Sequence, residues 1–231
     1  MTLRVLDIET TGTNPETDRV VEIASVDVTR ERTITNAQQH LVNPLMPIPP
    51  LSSAVHHIID ADVAEAPSFD VVLPDYLGAT FLIAHNAQFE QSFLERHGLQ
   101  PWVCTYKSAL RVWPDWPSHS NQYLRYRLGL VEPMGHKRAS IDPHRALSDC
   151  IVTAAIFIEI TKIAKWKDIV AWSAEPPLST YLNFGKYKGK RWDDPAVDDG
   201  YLDWILKSEM DEGAKFSAAH WKLKRAQKRA A

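Results

Sequence analysis

Met1-Thr2-Leu3-Arg4-Val5-Leu6-Asp7-Ile8-Glu9 carries two opposed patterns. Side chains alternate along an extended segment, so Leu3, Val5, Asp7 and Glu9 share one face while Leu6 and Ile8 take the other. A strand apolar on both faces belongs inside a sheet, and one that projects two carboxylates from its end must offset their repulsion. A divalent cation does so, because hard cations take carboxylate oxygens. Two solvated acids at a strand end, followed by the turn Thr10-Thr11-Gly12, fit the same residues, and this stretch alone leaves both readings open.

Outward from it, Asn14 to Asp18 reads as a loop and Val20 to Val28 as a second strand. That strand has Val21 and Ile23 on one face and Glu22, Ala24, Val26 and Val28 on the other; Glu22 either points back toward the first acids or marks the strand end. Residues 34–42 complete an antiparallel meander. The proline-rich stretch Pro44 to Pro50 leads into a short helix through Ala54, Val55 and Ile58, and Phe69, Val72, Leu73, Tyr76 and Leu77 recur at helical spacing despite Pro74.

Thr80 to Ala84 has the apolar run of a buried parallel strand, followed by a helix with Phe89, Phe93 and Leu94 that stops at Gly98. A strand over Pro101 to Thr105, a helix from Tyr106 to Val112, an aromatic loop from Trp113 to His119 and a Ser120-capped helix ending at Gly129 come next. Pro133 to Pro143, with His136, Lys137 and Arg138, reads as a loop beside the site, and Ala146 to Lys165 as a long, nearly all-apolar helix lying on the sheet. Strands first, then strands alternating with helices, predict an α/β fold with a mixed sheet flanked by helices.

The 231 residues are 45% hydrophobic and 24% charged, enough for one large domain with a small companion. The expected division is a main domain over 1–165, a linker over 166–177 containing a Pro-Pro pair, and a small basic module over 178–231. In that module Leu182 to Phe184 reads as a short strand, Gly185 to Gly189 as a turn, and Trp192 and Trp204 as an aromatic core. No segment approaches the roughly eighteen uninterrupted apolar residues of a membrane span, so no membrane partner is expected. Cys104 and Cys150 suggest no disulfide framework, which makes a reducing cytoplasm the expected setting. The net charge of −3 is uneven: residues 213–231 hold six lysines and arginines and no acid, leaving −9 on the rest. An acidic body with a basic tail fits a protein that gathers cations at one site and holds a polyanion at another; a solvated tail fits the charge equally well.

Two further acids follow apolar strand or loop signals. Glu90 lies one turn into the helix after His85-Asn86, and Asp149 lies near the start of the long helix after His144. Five helical positions turn through about 140°, so His144 and Asp149 face together only if His144 lies outside the regular helix. Each acid alone is as readily a solvated helix-start carboxylate. Neither a dinucleotide fingerprint nor a phosphate-binding glycine loop is present. Lys186, Lys188, Lys190 and Arg191, set around Tyr187 and two glycines, form a turn able to neutralise phosphates and offer one aromatic platform.

Taken together, Asp7-Ile8-Glu9-Thr10-Thr11-Gly12, His85-Asn86-Ala87-Gln88-Phe89-Glu90 and His144-Arg145-Ala146-Leu147-Ser148-Asp149 resemble the motifs of the DEDD superfamily of 3'-5' exonucleases, in its histidine-bearing branch. The likeness extends through Val21 to Val28, Ile48-Pro49-Pro50, Trp102 to Thr105 and Phe184 to Lys190. The resemblance implies a ribonuclease-H-like fold, two Mg2+ ions with Mn2+ as substitute, and release of nucleoside 5'-monophosphates from 3' ends of single-stranded or duplex DNA in repair. It assigns metal binding to Asp7, Glu9, Glu90 and Asp149 and the general base to His144, a task suited to an imidazole. Glu90 departs from the family's usual aspartate by one methylene. Substrate contacts are expected from the turn Thr10, Thr11 and Gly12, from Asn86 and Phe89, the latter equally explained as core, and from Lys186, Lys188 and Lys190. Two other readings stand: a 3'-5' exoribonuclease with the same core, and a nucleic-acid-binding protein weakened in catalysis at Glu90.

Overall fold

The structure, a computed structural model, describes residues 1–95, 101–132, 137 and 140–230. Strands β1 (Leu3–Thr10), β2 (Val20–Val28), β3 (Ile34–Leu41), β4 (Phe81–Ala84) and β5 (Trp102–Cys104) form one sheet in the order β3-β2-β1-β4-β5. The first three pair antiparallel, whereas β4 and β5 run parallel to β1. This is the mixed sheet of a ribonuclease-H-like fold, with β1 at its centre.

The period-two alternation of β1 and β2 sorts their side chains between two cores. Val5, Ala24, Val26 and Val28 pack under the long helix α7 (Ala146–Ile163), while Leu6, Ile8 and Ile23 turn to the opposite layer. There they meet Phe69, Val72, Leu73 and Tyr76, together with Phe93 and Leu94 of α4 (Gln88–Leu94). Asp7 and Glu9 therefore share the face on which α7 lies. Cys150 lets α7 approach closely: it is wholly buried, with Sγ 3.3 Å from the Ala24 carbonyl and 3.8 Å from that of Val5. A bulkier side chain here would lift the helix from β1 and β2.

The short helix α1 (Pro50–His56) ends before Ile58 because His57 takes a left-handed conformation, φ 60°. After the single turn of α2 (Asp60–Val63), Pro74 divides the helix expected from Phe69 onward into α3 (Phe69–Val72) and a 3₁₀ turn over Leu73–Tyr76. Beyond β5 come α5 (Thr105–Val112) and α6 (Asn121–Arg127), the latter capped by Ser120, whose hydroxyl accepts the Tyr123 N–H. The expected stop at Gly98 lies outside the described residues, as does most of the Pro133 to Pro143 loop, including His136 and Arg138.

Three expectations for the C-terminal part are corrected. Residues 166–174 form α8 (Trp166–Ala174) rather than linker; Ile169 is fully buried in the main core, leaving only the stretch through Pro176-Pro177 extended. No strand forms over Leu182 to Phe184, since Tyr181 and Arg191 meet only in an isolated bridge. Trp204 points to solvent, 55% exposed, whereas Trp192 is the buried aromatic. Trp192 packs with Leu182, Val197 and Tyr187, with Leu202 and Ile205 of α9 (Asp199–Lys207), and with Ala214 and Ala218 of α10 (Glu212–Ala230). The basic tail is thus α10. Its Arg225 is drawn inward, where Nη2 donates to the carbonyls of Trp192 and Asp194 at 2.7 and 2.6 Å. Among the described residues no helix is long and apolar enough to cross a membrane.

Replacing Cys150 with Phe should destabilise the protein by about 1–3 kcal/mol through overpacking, measured by urea unfolding followed by circular dichroism; a wild-type midpoint would show that α7 does not sit as close to β1 and β2 as described.

Candidate active site

Three of the predicted acids converge. Oxygens of Asp7, Glu9 and Asp149, all half-buried, lie within 4.8 Å of one another. Asp7 and Glu9 arrive from the end of β1; Asp149 descends from the first turn of α7. Glu90, 3% exposed, reaches the same region from α4 without joining the three-oxygen cluster, and its Oε2 is buried with no hydrogen-bond partner among the described residues.

Burial raises every one of these acids, and repulsion between them adds to it at Asp7, Glu9 and Glu90. Asp7 is pushed well above the ordinary carboxylate range by burial, then by Asp149, Glu90 and Glu9. Burial followed by Asp149 lifts Glu9 to about 8, partly countered by Arg145. Burial and then Glu9 lift Glu90 to about 8. Asp149 is raised by burial against the opposing effects of the His144 N–H and Gln122. Half-buried oxygens facing one another, an orphaned buried carboxylate oxygen and no soft ligand among them make a donor set that fits a hard divalent cation.

His144 lies outside α7, as the spacing requires. Its φ of 60° lets its backbone N–H turn onto Asp149 Oδ2 at 2.9 Å while the residue stays exposed. Asn86 likewise takes a left-handed turn, φ 73°, between β4 and α4. Phe89 packs against the core beneath α4, its ring 5.2 Å from that of Phe93, so it fills core as much as it borders the site.

The Thr10-Thr11-Gly12 turn owes its composition to the protein interior. Thr10 Oγ1 donates to the Gly12 carbonyl at 2.5 Å, and Thr11 Oγ1 accepts the Arg19 N–H at 3.0 Å. The Ser52 hydroxyl of α1 holds the Thr11 carbonyl at 2.6 Å. A Cβ on Gly12 would lie 2.4 Å from Asp18 Oδ2, which accounts for glycine there. The expected aromatic platform in the basic module is also corrected: Tyr187 is buried, and its hydroxyl donates to Asp198 at 2.7 Å.

One pairing beside the site is not legible in the sequence. Glu22, fully buried and paired in register with Glu9, accepts the Arg145 guanidinium at 2.6–3.2 Å and the Ala146 N–H at 2.8 Å. This fork anchors the N-terminus of α7, three residues before Asp149, to β2. The parity of β2 put Glu22 on the right face; nothing in the sequence paired it with an arginine 123 positions away.

Glu22→Ala should cost roughly 1–3 kcal/mol, as expected where charged hydrogen bonds lose their acceptor, with Arg145 left partly solvated; unfolding midpoints of the two proteins in chelator provide the comparison. Metal-free protein should also lose stability as pH rises. Glu9 and Glu90 bind protons more tightly folded than unfolded, so their stabilisation is complete below about pH 4.5 and is lost as pH climbs through about 8. Tm measured in chelator should fall across that window, and added Mn2+ should flatten the fall by replacing protons with metal.

A family model described as an exonuclease of the RNase T type matches residues 5–157. Exodeoxyribonuclease 10 of Escherichia coli K12 is 40% identical over 212 residues, covering 89% of this chain and 91% of its own. A solved structure of exonuclease X with 5' overhanging duplex DNA superposes with a TM-score of 0.63 at 37% identity, over 74% of this chain and 99% of that one. Escherichia coli exonuclease I with a dA16 oligonucleotide shares the fold alone, at 15% identity and a TM-score of 0.57, over 74% of this chain and 42% of that one. With the acidic cluster at the end of a central strand and a match running through both its halves, the chain belongs to the DEDD-type 3'-5' exonuclease family.

Proposed function

We propose that the protein is a metal-dependent 3'-5' exodeoxyribonuclease that removes nucleoside 5'-monophosphates from DNA 3' ends in repair, in a reducing cytoplasm. The convergence of Asp7, Glu9 and Asp149 carries this reading, and the 40% identity to Exodeoxyribonuclease 10 supports DNA as substrate. Asp7, Glu9 and Asp149 would hold Mg2+ ions, two per site, with Glu90 contributing directly or through water. Bound there, the ions supply charge stabilisation to both oxygens of the displacement.

The chain's own groups do the rest. His144, exposed beside Asp149, takes the proton of the attacking water. The turn at Thr10 to Gly12, clamped from α1 by Ser52, gives the terminal nucleotide a rigid backbone edge. Asn86 and Phe89, at the head of α4, would add contacts to the terminal nucleotide. Glu90 is buried on α4 with one oxygen free of protein partners among the described residues, which leaves that oxygen available to metal or to a bridging water.

The module over 178–231 is proposed to contact nucleic acid electrostatically. Lys186, Lys188 and Lys190 are exposed; Lys186 lies 3.9 Å from Asp198 and Lys190 3.4 Å from Asp194. Intramolecular pairing of this kind is weak at the surface and yields to phosphates. Arg191 pairs with Asp115, and the Arg111 guanidinium lies 5.8 Å from the centre of the Phe216 ring, so both groups tie the module to the main domain.

End-labelled single-stranded DNA, duplex DNA and RNA incubated with Mg2+, Mn2+ or chelator provide the decisive assay: shortening ladders from the 3' end of DNA are expected with either metal and none with chelator. Intact DNA under every condition would overturn the proposal, and RNA degraded in preference to DNA would reassign the substrate. His144→Ala should lower kcat by about 10²–10⁴ with KM little changed. Reversing Lys186, Lys188 and Lys190 together should lower the salt slope of binding by about 0.7 for each single-strand phosphate that is no longer neutralised, in fluorescence anisotropy at several salt concentrations.

A further inference from the structure

Both oxygens of Asp149 are held by the protein. Oδ2 accepts the His144 backbone N–H, and Oδ1 accepts Nε2 of Gln122 on α6 at 3.1 Å. The other end of the same amide is engaged as well: Gln122 Oε1 accepts Arg125 Nη1 at 3.3 Å. Arg125 is 1% exposed, an unusual depth for a guanidinium, and its Nη2 donates to the Val131 carbonyl at 3.0 Å. An amide placed between a carboxylate and a guanidinium has one orientation that satisfies both, nitrogen toward the anion and oxygen toward the cation.

α6 does not need this hydrogen bond in order to dock. Leu124 is fully buried beneath it in the core, and Asn121 Nδ2 donates to Thr153 Oγ1 on α7 at 2.7 Å, one turn beyond Asp149. The Gln122 bond instead meets the one α7 side chain that belongs to the acidic cluster. It leaves lone pairs on Asp149 free to face Asp7 and Glu9 while fixing the plane of the carboxylate.

We propose that Gln122 is a positioning residue for Asp149: the relay from Arg125 through the Gln122 amide holds the carboxylate in the orientation that a divalent cation requires. The proposal rests on Asp7, Glu9 and Asp149 holding metal. Partners that orient a ligating carboxylate typically change affinity 10- to 100-fold when removed, whereas a group serving only helix packing would change stability and leave affinity alone.

The test uses full-length protein with Gln122→Met, close in shape but without the amide, and Gln122→Asn, which draws the donor back by about one carbon–carbon bond. Ser120→Ala, which removes the cap of α6 without touching Gln122 or Asp149, serves as the control. Mn2+ binding is measured by titration calorimetry, and Tm is read in chelator. Gln122→Met should bind Mn2+ at least about tenfold more weakly with circular dichroism unchanged, and Gln122→Asn should weaken it in the same direction and keep the fold should the Met variant lose it. Ser120→Ala should lower Tm and leave Mn2+ affinity within about twofold of wild type, below the change that removing an orienting partner produces. Wild-type affinity in the Gln122 variants, or an equal loss in Ser120→Ala, would overturn the positioning role. Failure of the underlying metal reading shows separately, as absence of Mn2+ binding in the unmodified protein or no loss of it in Asp7→Asn; either would overturn the role of Gln122 too.

Discussion

Like charges held together against their repulsion are what the rest of this structure is built around. Asp7, Glu9 and Asp149 converge within 4.8 Å, and burial strengthens a repulsion that bulk water would screen. The fold keeps them there by fixing the elements that carry them. α7 lies on β1 and β2 with a cysteine at the closest approach, and the buried Glu22 fork pins the start of the helix to the strand beside Glu9. Such a site is destabilising until a cation occupies it, a common condition of functional sites in otherwise consistent folds.

Neighbouring groups divide into those that shape the site and those left accessible. Thr10, Thr11, Gly12 and Glu22 are committed to internal contacts, and Asp149 is held on both sides. His144 and Asn86, by contrast, occupy left-handed turns at the mouths of helices, and both are exposed. A rigid base with a few open polar groups is the arrangement that places a reacting phosphate without spending its binding energy on rearranging the protein.

The C-terminal module uses its charge differently from what composition suggested. Arg225 is committed to backbone carbonyls, Arg229 pairs with Asp199, and Lys222 pairs with Asp203. Three of the six positive charges of the tail therefore brace the small aromatic core around Trp192.

The alternation of Val5, Asp7 and Glu9 against Leu6 and Ile8, the apolar circumference of α7 and the five-residue spacing from His144 to Asp149 are local properties, so the sequence by itself determined the mixed sheet, the face on which the acids lie and the placement of the histidine outside the helix. Period and spacing depend only on backbone geometry. What only the tertiary structure decided are pairings between residues remote in sequence: Glu22 with Arg145, Gln122 with Asp149, Tyr187 turned inward, Trp204 outward, and residues 166–174 folded as a helix where their composition suggested a linker. Those outcomes are set by which surfaces meet, and neither hydrophobic period nor turn propensity records the partner on the other side of the contact.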